Sequence, residues 1–165
     1  PKDLRAILDI ERRTAPRCQS YLARQASDGI DQFTIEPPWD ACAFRLAVAG
    51  ARTGAILVAA LEAEIVGFSV CVALPESHYA HVPKVAVPCK PWGDQVAHAL
   101  LDKVAAEMRD RGFRQLVIKV DERHARARRI LASSRFEELT IHPWRAGGPA
   151  KVCFFIRPFG KPRGR

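Results

Sequence analysis

The chain has 165 residues, of which 48% are hydrophobic and 27% are charged. This length and this balance suit one globular domain with a real core, and they exclude an intrinsically disordered chain. The formal net charge of +8 favours an acidic partner such as a phosphorylated cofactor, a nucleic acid or an acidic protein surface, although a basic balance also serves solubility alone.

Five cysteines lie along the chain without a Cys-x-x-Cys pair. Their odd number and apolar neighbours predict reduced thiols in a cytoplasmic protein and no metal site. The longest apolar run, 56–74, carries Glu62 and Glu64, which predicts a two-strand hairpin rather than a membrane span. No signal peptide is visible, and the first residue, Pro1, leaves room for a preceding piece such as a strand.

Apolar periodicity and turn residues predict the elements in chain order. The chain opens with helices, continues through three strands, and then alternates helix and strand before two final strands. We expect helices at 2–14, 17–27, 40–51, 94–111 and 122–133, an extended piece at 33–35, and strands at 55–61, 65–74, 79–87, 114–120, 136–142 and 151–157.

Four local signals sharpen these boundaries. Asp40 is the predicted N-cap of the helix 40–51, and Glu62-Ala63-Glu64 is the predicted hairpin turn. Pro83 cannot donate a ladder hydrogen bond, so we expect a bulge or an unpaired stretch in its strand. Gly112 is the predicted end of the helix 94–111.

The strand-helix-strand unit at 79–120 predicts a parallel pair of strands at the centre of a mixed α/β (α+β) sheet, with helices on both faces. Because we find no repeat and no linker, residues 1–159 are predicted to form one domain. Residues 160–165 would be a basic tail.

The stretch from Val85 to Leu101 combines a short apolar run, a loop broken by Pro88, Pro91 and Gly93, and the start of an apolar helix. The first N–H groups of a helix lack partners inside the helix, and the helix dipole is positive there. Such a unit can hold an anion, with a pyrophosphate as the natural ligand. The alternative is an ordinary strand-loop-helix connection, because no Gly-rich phosphate signature is present.

Several sequence blocks resemble the GNAT superfamily of N-acetyltransferases, and within it the ribosomal-protein N-terminal acetyltransferases. The resemblance covers about three-quarters of the chain, from Pro37 to Phe159. It is carried by the blocks PPWDACAF, AEIVGFSV, VAVP followed by GDQVAHALLDKVAAEMRDRGFRQLVIKV, and HARARRILASSRFEEL.

The resemblance implies a mostly antiparallel sheet of six to seven strands with a central splayed parallel pair. It implies transfer of an acetyl or other acyl group from acyl-CoA to a primary amine, by direct attack in a ternary complex. The amine could belong to a protein N-terminus, a lysine or a small molecule. Acetyl-CoA would be the co-substrate, without a metal, and the protein would be a monomer or a homodimer that binds no membrane.

By the same resemblance, acyl-CoA would contact the splayed strand, the following loop and the start of the Arg-rich helix. Only Ala97 matches the family's pyrophosphate loop, but any residue can supply a backbone N–H. Asp94 would repel a phosphate, so we expect it to cap the helix instead. The predicted cofactor-binding residues are Val85, Val87, Trp92, Gly93, Gln95, Val96, Ala97 and His124.

His81 is the predicted catalytic base, because it aligns with the glutamate base of the superfamily's histone acetyltransferases and titrates near neutral pH. The alternative is a strand residue that faces solvent. Leu131 replaces the tyrosine that protonates the departing thiolate, which predicts a slower enzyme rather than an inactive one. Other candidates on the same segment as His81 are Glu76, His78 and Tyr79.

Two further hypotheses remain open at this stage. The departures from the family pattern are also typical of a catalytically degenerate protein that keeps the fold and works as a binding or regulatory module. The basic run 123–129 could bind a CoA phosphate, an acidic substrate or nucleic acid, or it could be a solvated helix face. Because no aromatic residue interrupts the run, nucleic acid is not the expected partner.

Overall fold

The computed structural model describes residues 3–14, 30–33, 39–49, 54–73, 76–143 and 151–160. Within these ranges the helices are α1 (Leu4–Thr14), α2 (Ala41–Ala49), α3 (Gly93–Asp110) and α4 (Ala125–Ser133). The strands are β1 (Ile30–Gln32), β2 (Gly54–Leu61), β3 (Glu64–Ala73), β4 (Tyr79–Pro88), β5 (Gln115–Asp121), β6 (Glu137–Pro143) and β7 (Lys151–Pro158).

The strands form a mixed sheet in the order β2-β3-β4-β5-β7-β6, and β1 pairs with β4 outside this path. Among the described strands, β4 and β5 run parallel and the other pairs are antiparallel. The parallel pairing covers only Tyr79–His81 against Gln115–Val117, so the two strands diverge beyond these residues. The predicted sheet with a central splayed parallel pair is confirmed.

Helices cover both faces of this sheet, as predicted. Because side chains alternate along a strand, Val85 and Val87 point to one face and Ala86 points to the other. On the first face the core includes Leu101 and Met108 of α3 and Ile130 and Leu131 of α4. On the second face it includes Ile7 and Ile10 of α1, Phe44 of α2, and Phe68 and Val70 of β3.

Local sequence signals produce the predicted turns and ends. The Asp40 carboxylate accepts a hydrogen bond from the Ala43 N–H at 2.8 Å, so Asp40 caps α2. Glu62 and Ala63 adopt positive φ angles of 48° and 70°, which a two-residue turn between hairpin strands requires. Gly112, with φ of 90°, lies just after the end of α3, as predicted.

The predicted irregularity at Pro83 is confirmed as a β-bulge. Val70 pairs with Lys84 and Val72 pairs with His81, so β4 uses one residue more than β3 over the same step. The extra residue lies at Val82–Pro83, where proline has no N–H to donate. The bulge therefore separates the part of β4 that pairs with β5 from the part that leaves it.

A buried ion pair fixes α1 against β4, and nothing in the local sequence predicted it. Lys84 Nζ lies 2.6 Å from Glu11 Oε1, and the two side chains are 0% and 3% exposed. The same Glu11 oxygen accepts a hydrogen bond from the Trp39 N–H at 2.9 Å. One carboxylate thus joins α1, β4 and the chain before α2.

One predicted boundary is wrong by three residues. The Arg-rich helix begins at Ala125 and not at 122, because the Asp121 carboxylate accepts the Arg123 N–H at 2.9 Å and holds residues 122–123 in a turn. A short strand, β1, lies at Ile30–Gln32, just before the predicted extended piece. The predicted helix 17–27, the rest of 33–35 beyond Phe33, and 161–165 of the predicted tail lie outside the described residues.

In the described part of the chain, the helices are too short or too polar to cross a lipid bilayer.

Candidate active site

The centre of the site is a cleft between β4 and β5, which we define as the gap that opens beyond the last parallel pair, His81 with Val117. Beyond this fork β5 continues to Asp121 alongside β7, and β4 continues to Pro88 alongside β3. A strand that leaves its neighbour exposes backbone N–H and C=O groups that need other partners. The edge of β4 that faces the cleft can therefore bind an extended chain through its backbone N–H and C=O groups.

The chain itself occupies this binding edge. The register pairs Asp31 with Val87 and Gln32 with Ala86. Because Ala86 also pairs with Phe68 of β3 on its other side, β1 must lie on the edge that faces β5. We call residues 30–33 the cleft segment.

Val85 and Val87, the predicted contacts for acyl-CoA, direct their backbone groups into this cleft. The Phe33 N–H donates to the Val85 carbonyl at 3.0 Å. Since alternate residues of a strand direct their backbone groups to the same edge, Val87 faces the cleft segment as well. In this structure the cleft segment is the partner of both residues.

The Phe33 side chain anchors the cleft segment in the main core. It is fully buried and belongs to the core cluster that contains Val85, Val87 and Leu101. Its ring meets the His124 imidazole edge to face, with centroids 5.7 Å apart and planes at 76°. Burial of a phenylalanine side chain stabilises by about 1.5–3 kcal/mol, so Phe33 holds a short strand firmly.

Asp31 binds the N-terminal end of α4. Its carboxylate lies 2.9 Å from His124 Nε2 and 3.0 Å from Arg126. The Ala127 N–H donates to His124 Nδ1 at 3.2 Å, so Nδ1 carries no proton and Nε2 is the atom that donates to Asp31. His124, predicted to contact a cofactor, caps α4 and holds the cleft segment in this structure.

The predicted capping role of Asp94 is wrong. The N-cap of α3 is Trp92, which makes no side-chain cap bond, and Asp94 lies inside the first turn. Its carboxylate binds Arg126 at 2.8 Å and Arg129 at 2.9 Å. Burial alone would raise the pKa of Asp94, but the hydrogen bonds and charges of these two arginines outweigh it and lower the pKa. Asp94 therefore remains a carboxylate that serves as an internal anion.

The loop between β4 and α3 is tight. A Cβ on Gly93 would lie 1.9 Å from the Pro88 carbonyl oxygen, so only glycine fits without a shift of the backbone. The Gly93 N–H donates to Lys90 at 2.8 Å and the Val96 N–H donates to Trp92 at 3.2 Å. The side chains of the predicted loop residues vary in exposure: Ala97 is buried, Trp92 and Val96 are half-buried, and Gln95 is exposed.

His81, the predicted base, lies at the fork of the cleft. Its Nε2 is buried and has no hydrogen-bond partner among the described residues. Burial disfavours the charged ring, and Lys119 adds to this effect, so the pKa of His81 falls from 6.5 to about 4. The imidazole is half-buried and neutral at pH 7, whereas Glu76, His78 and Tyr79 are exposed.

The basic run 123–129 does not form an open cationic surface, because each of its arginines has an acidic partner. Arg123 binds Asp121, and Arg128 binds Glu138. Arg126 binds Asp31 and Asp94, and Arg129 binds Asp94. This pairing balances the positive charge of the run and weighs against the nucleic-acid hypothesis, which needs an excess of positive charge.

One polar pair between α3 and the end of α4 has no counterpart in the sequence analysis. His98 is half-buried, and its Nδ1 lies 2.7 Å from the hydroxyl of Ser134. The pair joins α3 to the residue that follows α4. Leu131 of α4 is fully buried and carries no acidic proton.

In this arrangement the residues do not fit an acyl-CoA. The backbone groups of Val85 and Val87 on the cleft edge face the cleft segment. Arg126, a cation that contacts the loop, already binds two carboxylates and the Pro88 carbonyl. A ligand with amides and phosphates could enter only if some of these internal partners left.

A family model described as "Acetyltransferase (GNAT) family" matches residues 6–133. The match covers well over half of the chain, and the chain therefore belongs to the acetyltransferase (GNAT) family. The resemblance to the GNAT superfamily is confirmed. A search of curated proteins finds no significant match.

Solved structures of acetyltransferases share this fold at low sequence identity. The ribosomal-protein-alanine N-acetyltransferase from Brucella melitensis has 19% identity and a TM-score of 0.69, with 96% of this chain and 95% of that chain covered. The ribosomal-protein-S18-alanine N-acetyltransferase from Escherichia coli has 20% identity and a TM-score of 0.69, with 98% and 92% covered. A putative streptothricin acetyltransferase from Bacillus anthracis, solved in complex with acetyl coenzyme A, has 14% identity and a TM-score of 0.60, with 66% and 64% covered.

Proposed function

We propose that this protein is an N-acyltransferase that moves an acetyl or other acyl group from an acyl-CoA to a primary amine. The observation that carries the proposal is the cleft between β4 and β5 with His81 at its fork. Membership of the GNAT family supports it, as does the bound acetyl coenzyme A in one structure of similar fold.

We propose that His81 accepts the proton that the amine loses as its nitrogen bonds to the acyl carbon. The C–S bond of the acyl-CoA then breaks, and the proton passes to the departing CoA thiolate. The ring is neutral at pH 7 because its pKa lies at about 4, so a lone pair is available. Its buried Nε2 has no competing hydrogen bond among the described residues. The same low pKa makes His81 too weak to hold a proton taken from a free ammonium group, so the amine must arrive neutral.

This requirement favours a weakly basic acceptor. A protein α-amino group, with a pKa of about 7.7–8.0, is about one-tenth neutral at pH 7, whereas a lysine, with a pKa of about 10.4, is neutral in about one molecule in two thousand. We therefore propose that a protein N-terminus is a better acceptor than a lysine side chain. A small-molecule amine of low pKa would meet the same requirement.

The test is a transfer assay with acetyl-CoA and a peptide that carries both a free N-terminus and a lysine. We expect acetylation at the N-terminus and a loss of about 100-fold in rate for His81→Gln, since a general base contributes about 10²–10⁴-fold. His78→Gln, an exposed histidine on the same segment, is the matched control. Equal rates for the two variants would remove His81 from the mechanism.

A second candidate is a GNAT-fold protein that binds no acyl-CoA and acts as a binding or regulatory module. It is favoured by the occupied cleft edge and by the two internal carboxylates on Arg126. Isothermal titration separates the two candidates: micromolar binding of acetyl-CoA supports the enzyme, and the absence of heat at high protein concentration supports the module.

A further inference from the structure

We propose that the cleft segment, residues 30–33, is a reversible internal strand that closes the cleft, so that acyl-CoA and this segment exclude each other. The inference rests on the proposed function, because it assigns a regulation to the same cleft. Its physical basis is that one strand edge can pair with one partner at a time.

The backbone edge gives the first argument. Val85 and Val87 turn their N–H and C=O groups toward the cleft segment, and the Phe33 N–H to Val85 carbonyl bond is 3.0 Å long. The pantetheine arm of an acyl-CoA is an extended chain with two amide groups, which pair with a strand edge in the way that an added peptide strand does. Both occupants require the same donors and acceptors on β4.

Charge gives the second argument. Asp31 places a carboxylate between His124 and Arg126, and Arg126 lies next to the first turn of α3 through Asp94. Departure of the cleft segment would remove one negative charge from this cluster and withdraw the carboxylate that Arg126 and the His124 Nε2–H bind. Phosphate groups bind such donors well, so a phosphorylated ligand could replace Asp31.

The cleft segment is short enough to leave. β1 has three residues and pairs only with β4 among the described strands. Elements with few ladder partners are the ones that open locally while the rest of a sheet stays folded. Phe33 and Asp31 are its two buried anchors, and each can be weakened by one substitution.

A reversible disulfide tests the exclusion directly. Gln32 and Ala86 are cross-strand partners, and they form a non-hydrogen-bonded pair because the neighbouring pair Phe33–Val85 is hydrogen-bonded. Such pairs bring Cα atoms within the range of a disulfide. The variant is Gln32→Cys with Ala86→Cys, in a background where Cys18, Cys42 and Cys89 are replaced by serine.

We expect the reduced form of this variant to bind acetyl-CoA and the oxidised form to bind at least about 100-fold more weakly, as measured by isothermal titration before and after reduction. The serine background without the two new cysteines controls for the reductant. Equal affinity in the oxidised and reduced forms would overturn the inference and leave the proposed function intact.

Two loosening variants test the same exclusion from the other side. Phe33→Ser and Asp31→Ala should each tighten acetyl-CoA binding by about 10-fold, because a larger fraction of molecules has an open cleft. Asp102→Ala is the control for charge, since Asp102 is exposed and pairs with Arg157. No gain in affinity in either loosening variant would contradict the inference, and no binding in any form, including the reduced and loosened ones, would overturn the proposed function together with it.

Discussion

In the first half of β4, from Tyr79 to Lys84, the strand pairs with β3 and β5, whereas in the second half, from Val85 to Pro88, one edge pairs with the three-residue β1. The charged groups differ in the same way. Lys84 is fully buried against Glu11, while Asp31 and Asp94 bind arginines at the end of the cleft, where the Asp94 side chain is 33% exposed. The bulge at Val82–Pro83 lies within the first half, between the residues that pair with β5 and Lys84.

The two halves of β4 therefore have different roles in stability and in function. The first half is held by long strands and a buried ion pair, so it provides a fixed position for His81. The second half is held by partners that other amides and phosphates could replace. Substitutions in the two halves should therefore differ in how much stability they cost.

The largest effect is expected from Glu11→Ala. Removal of this carboxylate takes away the anion that lies 2.6 Å from the buried Lys84 Nζ and leaves the Trp39 N–H without its acceptor. We expect a loss of about 3–5 kcal/mol in the free energy of unfolding, measured by urea denaturation. The double variant Glu11→Ala with Lys84→Met should recover much of this loss; if it is as unstable as the single variant, the buried charge is not the cause.

His81 should make stability depend on pH. Its pKa is lowered from 6.5 to about 4, so between these pH values the unfolded chain binds a proton that the folded chain does not. The free energy of unfolding should therefore rise with pH through this window. The contribution of His81 should be complete above pH 6.5. The contribution is about 3 kcal/mol for a shift of this size.

Urea denaturation at pH 4.5 and 7 measures this contribution as the difference between the wild-type protein and His81→Leu. We expect the variant to lose less stability than the wild type on acidification. Equal losses in the two proteins would show that His81 is not held neutral by burial.

A smaller loss of stability is expected for Asp31→Ala. Asp31 lies in β1, which pairs with the second half of β4. The change leaves the His124 Nε2–H and one Arg126 contact without their carboxylate, which costs about 1–3 kcal/mol. Asp102→Ala removes an exposed carboxylate and should change stability by less than about 0.5 kcal/mol. If Asp31→Ala is as harmful as Glu11→Ala, the two halves of β4 do not differ as described.

An effect smaller than that of Asp31→Ala is expected for Asp40→Ala, which lies outside β4 and gives the scale for an exposed polar contact. The Asp40 carboxylate caps α2 through the Ala43 N–H, and loss of such a cap costs about 1 kcal/mol. Thermal unfolding of the variant beside Asp40→Asn, which can still cap, measures it. A similar loss in both variants would mean that the cap bond is not the origin of the effect.

Much of the fold could be predicted because its signals are local. Pro83 lacks a backbone donor, Asp40 precedes an apolar helix, and Gly112 follows the last apolar position of α3, so each marks a feature within a few residues of itself. The order of strands around a strand-helix-strand unit then leaves few arrangements for the sheet.

The contacts of the cleft could not be predicted, because they join residues that are far apart in sequence. Asp31 and His124 are separated by 93 residues, and Lys84 and Glu11 are separated by 73. Asp94 was expected to cap its own helix, which is the local option, but Arg126 and Arg129 lie 32 and 35 residues further on and bind it instead. Local patterns carry no information about such partners.

Hydrogen–deuterium exchange in the wild-type protein, with and without acetyl-CoA, tests most directly whether acyl-CoA and residues 30–33 exclude each other on β4. We predict that acetyl-CoA increases exchange at residues 30–33 while the amides of Val85 and Val87 remain protected, because one partner replaces another on the same edge. Binding of acetyl-CoA with undiminished protection at residues 30–33 would contradict the account.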